Sequence, residues 1–162
     1  MILELRALIE GEAIPFTDAL DLSALDFSGR YLFPEPVRLT GAVQKRTGII
    51  QLDGRYETTM SMQCDRCGKP FGRALSEPLI VTLAKQREAE DREDIVLLRN
   101  DACDLHEIFE PAVILSVPSK ILCSEDCAGL CPRCGHDLNE SSCDCAPEAD
   151  PRWDALRALI DE

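Results

Sequence analysis

Residues 123 to 145 read CSEDCAGLCPRCGHDLNESSCDC, a stretch that holds six of the chain's nine cysteines. Upstream, Cys64-Asp65-Arg66-Cys67-Gly68 has the same pattern as Cys131-Pro132-Arg133-Cys134-Gly135. Two residues between cysteines let both sulfurs of a tight turn point at a single ion. The following glycine permits the backbone conformation that aims amide N–H groups at those sulfurs. Cys123-x3-Cys127 and Cys143-x-Cys145 complete four pairs. Zinc takes four ligands in a tetrahedron, so Cys64, Cys67, Cys123, Cys127, Cys131, Cys134, Cys143 and Cys145 supply one or two structural Zn2+ sites.

Two pairings are open. The local one closes Cys131, Cys134, Cys143 and Cys145 through the loop HDLNESS and brings Cys64 and Cys67 to Cys123 and Cys127. Short closures cost little entropy, which favours it. The other joins the two CxxCG knuckles, as in zinc ribbons. Cys103 is left over and reads as a small buried hydrophobe. His136 lies in the metal loop, either as a substitute ligand or as an exposed loop histidine; His106 reads as a solvated residue in the first turn of a helix.

Disulfides and redox chemistry fit less well. The start MILELRALIEGEAIPF lacks a basic n-region, and Glu4, Arg6, Glu10 and Glu12 break its apolar residues, so no secretory leader is expected. No apolar run approaches the roughly 20 residues that span a bilayer. The expected setting is a reducing cytoplasm, where dense cysteines bind metal rather than pair. A dithiol redox enzyme opens a helix with its CxxC; here both pairs run into Gly and then Lys-Pro or His-Asp, which is turn chemistry. There is no P-loop, no dinucleotide fingerprint and no acid–base carboxylate pair. A zinc held by four thiolates has no open position for water. The chain therefore reads as no enzyme, with no small-molecule substrate and no membrane partner.

The rest of the chain supplies a sheet. Val37, Leu39 and Val43 alternate with Arg38, Thr40 and Gln44, and Thr47-Gly48 offers a turn. Ile50, Leu52, Tyr56, Met60 and Met62 then face one way, against Gln51, Asp53, Arg55, Glu57, Thr59 and Ser61; Ile49 is the apolar residue in the polar phase. A third strand runs over 75–84 after the turn Cys67-Gly68-Lys69-Pro70. The run KQREAEDRED (85–94) reads as an exposed loop or mobile insertion, and 95–98 as a return to the sheet. Asp104 and Glu107 pair to cap a helix with Leu105, Ile108, Phe109 and Ala112 on one face, which Pro111 should kink or shorten. Val117-Pro118 ends it. Asp150 and Pro151 open a terminal helix with Trp153, Leu156 and Ile160 as a docking face.

The expected fold is α+β: an antiparallel β-meander with a packed helix, a C-terminal Cys-rich zinc-binding segment and a short terminal helix. A β-rich core domain with its helix occupies 1–122. The Cys-rich segment and terminal helix occupy 123–162, packed on that core.

The formal net charge of -13 argues against a protein that grips nucleic acid over its whole surface. The charge is uneven, however. Arg38, Lys45, Arg46, Arg55, Arg66, Lys69 and Arg73 outnumber the acids of their stretch, whereas 74–162 is strongly acidic. One end suits RNA and the other a basic protein, unless the asymmetry is only a solvated surface.

Three segments taken in order, "CDRCGKPF", "VPSKILCSEDCAGLCPRCGHDLN…CDC" and "DPRWDALRAL", with a weaker "MILELRAL", resemble the YceD family of large ribosomal RNA subunit accumulation proteins. The resemblance implies a non-enzymatic factor in large-subunit ribosomal RNA synthesis, processing or accumulation, hence ribosome biogenesis. Its partner would be ribosomal precursor RNA or a basic ribosomal or processing protein. RNA contacts would fall on Lys45, Arg46, Arg66, Lys69 and Arg73, near the first knuckle. Outside that resemblance stand a zinc-ribbon nucleic-acid-binding regulator and a CxxC thiol redox protein.

Overall fold

Strand β4 (Ile49–Gln63) shows most directly how sequence becomes structure here. In the computed structural model, which describes residues 1–85, 95–98, 100–145 and 152, its side chains at Ile50, Leu52, Tyr56, Met60 and Met62 are buried. Asp53, Arg55, Thr59 and Ser61 are exposed, and Ile49 stands 56% exposed, as the alternation predicts. β4 pairs antiparallel with β3 (Val37–Arg46) on one side and β5 (Pro70–Lys85) on the other. The β3–β4 turn is Thr47-Gly48, with positive φ at both residues as a two-residue hairpin of this twist requires. The Glu10 carboxylate accepts both N–H groups of that turn.

Two strands extend the meander. β2 (Ala13–Leu20) pairs antiparallel with β3, and β6 (Ile95–Leu98) pairs with β5, giving the order β2-β3-β4-β5-β6. Residues 95–98 thus do rejoin the sheet. They run parallel to β5, however, so the sheet is mixed rather than wholly antiparallel. β2 is an edge strand, which accommodates Pro15 and its missing donor. A small second sheet joins β1 (Ile2–Glu4) to β7 (Ala102–Asp104). Helix α1 (Leu105–Leu115) follows β7 directly.

α1 opens on Asp104, whose carboxylate accepts the His106 N–H at 2.9 Å, with Glu107 in the first turn. Leu105, Ile108, Phe109 and Val113 are its buried face. The helix continues through Pro111 to Leu115, so the proline does not end it; burial of that face outweighs one missing backbone bond. Phe109 packs edge-on against Phe16 (5.9 Å) and Tyr56 (6.2 Å), and the Tyr56 hydroxyl donates to the Ala112 carbonyl at 3.3 Å. This ring cluster sits over a gap in the sheet. Gly41 and Gly54 are opposite one another on β3 and β4, and a Cβ on Gly54 would lie 2.7 Å from Phe109. Fully burying such a phenylalanine contributes about 2–3 kcal/mol.

His106 is not simply solvated. Its Nε2 lies 2.9 Å from Asp18 Oδ2, linking α1 to β2. Cys103 is buried in the core, where burial and the neighbouring Asp104 carboxylate push its thiol up to about 11. The charged run at 86–94 and the terminal helix, with Asp150, Pro151, Trp153, Leu156 and Ile160, lie outside the described residues. Among the described residues no helix is long and apolar enough to cross a membrane.

Candidate metal centres

β4 and β5 meet in the first CxxCG knuckle. The Cys64 N–H donates to the Lys69 carbonyl at 3.0 Å, and the Gly68 N–H returns to the Cys64 carbonyl at 2.9 Å, with Gly68 at φ 71°. The second knuckle repeats this bond for bond. Cys131 N–H donates to His136 O at 2.8 Å and Gly135 N–H to Cys131 O at 2.9 Å, with Gly135 at φ 72°. Only a residue free of Cβ strain sits comfortably at that left-handed corner, which explains the glycine after each CxxC.

The structure gathers the eight cysteines into two quartets, Cys64, Cys67, Cys123 and Cys127, and Cys131, Cys134, Cys143 and Cys145. Within each, all sulfurs lie within 4.8 Å of one another. The two knuckles therefore do not share a site as a ribbon would. A tetrahedron with metal–sulfur bonds of about 2.3 Å has edges of about 3.8 Å. Cys64 and Cys127 sulfurs are 3.7 Å apart, and those of Cys67 and Cys123 3.8 Å, so the first quartet already has the spacing of a four-thiolate metal site. All nine cysteines are free thiols, and disulfide lengths are not approached. Each quartet can hold a metal ion.

Backbone donors prepare the sulfurs. Burial opposes the Cys64 thiolate, but the N–H groups of Cys67, Cys123 and Arg66 outweigh it and bring that thiol down to about 6. At Cys131 the N–H groups of Cys134 and Arg133 lead, again to about 6. Cys67, Cys123, Cys143 and Cys145 shift in the opposite sense. At Cys67 the Lys69 N–H favours the thiolate, yet burial and the sulfurs of Cys64, Cys127 and Cys123 push it up to about 12. Cys145 rises to about 12, chiefly from the Cys134 sulfur and burial. Four adjacent thiolates repel one another unless a cation sits among them.

Around the first quartet the chain is tied down without the ion. The Asp65 N–H donates to the Ile121 carbonyl and its Oδ2 accepts the Ile121 N–H, both at 2.8 Å. Arg30 donates to the other carboxylate oxygen at 3.1 Å. Arg66 Nη1 donates to the carbonyls of Cys127 at 2.7 Å and Glu125 at 3.5 Å. Asn139, from the loop of the second quartet, reaches Cys127: Nδ2 lies 3.6 Å from its sulfur, and Oδ1 accepts the Ala128 N–H at 2.7 Å. His136 is not among either quartet's sulfurs; its Nε2 lies 2.8 Å from Ser141 Oγ.

The basic residues expected to meet RNA do not form one patch. Arg66, Lys69 and Arg73 are exposed beside the first knuckle, with Arg66 already engaged as described. Lys45 is paired with Ile50 and Arg46 with Ile49, while Arg73 is paired with Met60. The length of β4 between Ile50 and Met60, about 30 Å at the rise of a strand, separates the two groups. Asp65, Arg66 and Asn139 are the site residues that sequence reasoning missed in these roles. The first two stand inside a CxxC, where a tight turn makes contacts to a partner loop natural. Asn139 carries no local signal.

The model of a family described as large ribosomal RNA subunit accumulation protein YceD matches residues 52–160, a span containing both knuckles. The chain is 24% identical over 143 residues to the chloroplastic "Large ribosomal RNA subunit accumulation protein YCED homolog 1" of Arabidopsis thaliana, covering 70% of this chain and 44% of that protein. The Zea mays protein of the same name is 24% identical over 144 residues, 69% of this chain and 49% of that one. An uncharacterized protein of Mycobacterium tuberculosis is 32% identical over 102 residues, 60% of this chain and 49% of its own length. The chain thus spans about half the length of these relatives. No solved structure matches it.

Proposed function

Because the chain belongs to the YceD family, we propose that it is a non-enzymatic factor in large-subunit ribosomal RNA synthesis, processing or accumulation, stabilised by two structural zinc ions. The observation that carries this reading is the span of the family match, which runs from β4 through both cysteine quartets. Plant relatives are named for accumulation of the large ribosomal RNA subunit. Zinc is the favoured ion because four thiolates in a tetrahedron are its commonest structural setting. A bound zinc would neutralise thiolate repulsion and fasten the β4–β5 turn to the segment after α1. With four sulfurs per ion no position stays open for a substrate, which supports a clip rather than a catalytic centre. Partners of matching chemistry are ribosomal precursor RNA, met by Lys69 and Arg73, or a basic ribosomal or processing protein, met by the acidic surface. A reducing cytoplasm completes the reading.

The test is genetic. In a strain depleted of the chain, the ratio of large- to small-subunit ribosomal RNA should fall. The wild-type chain should restore it, and a chain with Cys64→Ser should restore it less. An unchanged ratio on depletion would overturn the reading. Direct RNA contact is checked separately: Lys69→Gln with Arg73→Gln should weaken binding to precursor RNA and flatten its salt dependence.

A further inference from the structure

The two quartets are not independent in this structure. Cys127, a member of the first, is buried, and its sulfur accepts from Asn139 Nδ2 at 3.6 Å. Asn139 belongs to the loop that must fold back to bring Cys143 and Cys145 to Cys131 and Cys134. Its other atoms fix that loop. Asn139 Oδ1 accepts the Ala128 N–H at 2.7 Å, and Asn139 N and Nδ2 both donate to Asp137 Oδ1, at 2.9 and 2.6 Å. Beside it the Leu138 N–H donates to Gly129 O at 2.9 Å, and Leu130 forms a bridge with Asp137. The segment between the quartets, 128–130, is therefore clasped by the loop that closes the second quartet.

We propose that Asn139 couples the two cysteine quartets, so that a metal ion at either one raises the affinity of the other. The inference rests on the metal reading above and adds to it a positioning residue that is itself no ligand. The differential interaction that coupling requires is chemical. A metal-bound Cys127 carries a thiolate, and an N–H donor to a charged acceptor makes a stronger bond than the same donor to a thiol. Filling the first quartet therefore strengthens the hold on Asn139 and orders the 136–142 loop before the second ion arrives. Filling the second quartet orders that loop directly and presents Asn139 to Cys127. Since both routes share one contact, the gain is reciprocal, and a single contact puts it at the lower end of ordinary couplings, about fivefold to tenfold. Outer contacts of this kind commonly set metal affinity as well as ligand orientation.

The experiment titrates the full, metal-free, reduced chain with Co(II), whose thiolate charge-transfer absorption reports each tetrahedral site, and repeats it with Zn(II) by competition. Four chains are compared: wild type; Cys143→Ser with Cys145→Ser, which disables the second quartet; Asn139→Ala; and all three substitutions together. Disabling the second quartet should weaken the first about fivefold to tenfold. Asn139→Ala should weaken it similarly, and the combined chain should show little further loss. Asn139→Asp, nearly the same shape without the amide donor, should weaken it at least as much as Asn139→Ala, since its carboxylate also faces the Asp137 carboxylate and the Cys127 sulfur. An unchanged thermal melt of the sheet separates loss of coupling from loss of fold. First-quartet affinity indifferent to the second, or fully additive losses, would overturn the coupling while leaving the metal reading intact. No metal uptake by the wild-type chain would overturn both.

Discussion

Asp65 and Ile121 hold each other twice, N–H to carbonyl in one direction and N–H to carboxylate in the other, both at 2.8 Å. This pair joins the first knuckle to the residues leading into Cys123. The Ile121 N–H, followed by Arg30, keeps the Asp65 carboxyl below the ordinary carboxylate range. A carboxyl depressed by folding stabilises the fold above its unfolded pKa, and that contribution is lost as pH falls through the depressed value. Asp65→Asn should therefore lower the urea midpoint at pH 7, and the gap from wild type should close as pH is taken below about 4. A gap that persists undiminished in acid would refute the carboxylate's part.

Zinc analysis with thiol counting tests the quartets. Wild type should carry two ions, with Cys64→Ser and Cys131→Ser each losing a different one, because these residues stand in separate quartets. A single ion lost by both substitutions would mean a shared ribbon site. Metal should be released as pH falls, since protons compete for the same thiolates. In the native chain Cys103 should resist thiol reagents even after chelation exposes the rest, as it is buried away from both quartets.

Arg66 makes a prediction that separates clamp from phosphate contact. Its bond to the Cys127 carbonyl holds the second half of the first quartet. Arg66→Ala should speed metal loss chiefly from that quartet, though Arg66 is no ligand. Removing Lys69 and Arg73 should leave the metal off-rate unchanged. Equal off-rates in all three chains would return Arg66 to the surface-charge class.

The glycine pair in the sheet predicts two unequal losses. At Gly54 a Cβ meets the tips of Phe109 and Phe16, at 2.7 and 3.1 Å, and ring tips can shift. At Gly41 it meets the Asp53 carbonyl oxygen at 2.3 Å and Gly54 Cα at 2.6 Å, which are backbone and cannot. Gly54→Ala should cost about 1–3 kcal/mol in urea unfolding, and Gly41→Ala more. Adding Phe109→Leu should recover part of the first loss and none of the second.

How much of this could be read from sequence varied by element, for physical reasons. β4 was legible because one face is buried along most of its length, so Ile50, Leu52, Tyr56, Met60 and Met62 keep a period of two, with Thr58 the half-buried exception. β2 was not read: Asp18 interrupts the phase of Ile14, Phe16 and Leu20, and Pro15 signals against a strand until the partner strand makes it an edge. The parallel direction of β6 is set by the path of the connection, not by Ile95–Leu98 themselves. In the site, CxxCG spacing was local and readable. The link between His106 and Asp18 and the reach of Asn139 to Cys127 depend on folding distant segments together. Lys45 and Arg46 were grouped with the knuckle because they are near it in sequence, whereas β4 runs the full sheet between them.

The first quartet also has a history during synthesis. Cys67 and Cys123 are separated by 56 positions, and β5, β6, β7 and α1 lie between them. At about 5–20 residues per second, a nascent chain shows its first knuckle for roughly three to eleven seconds before the second half of the quartet is made. During that interval Cys64 and Cys67 are an open pair of thiols at the end of β4, in a hairpin that closes only once β5 has been made. An ion captured then has two of its four ligands, and the quartet can close only after α1 and the residues that follow it have emerged.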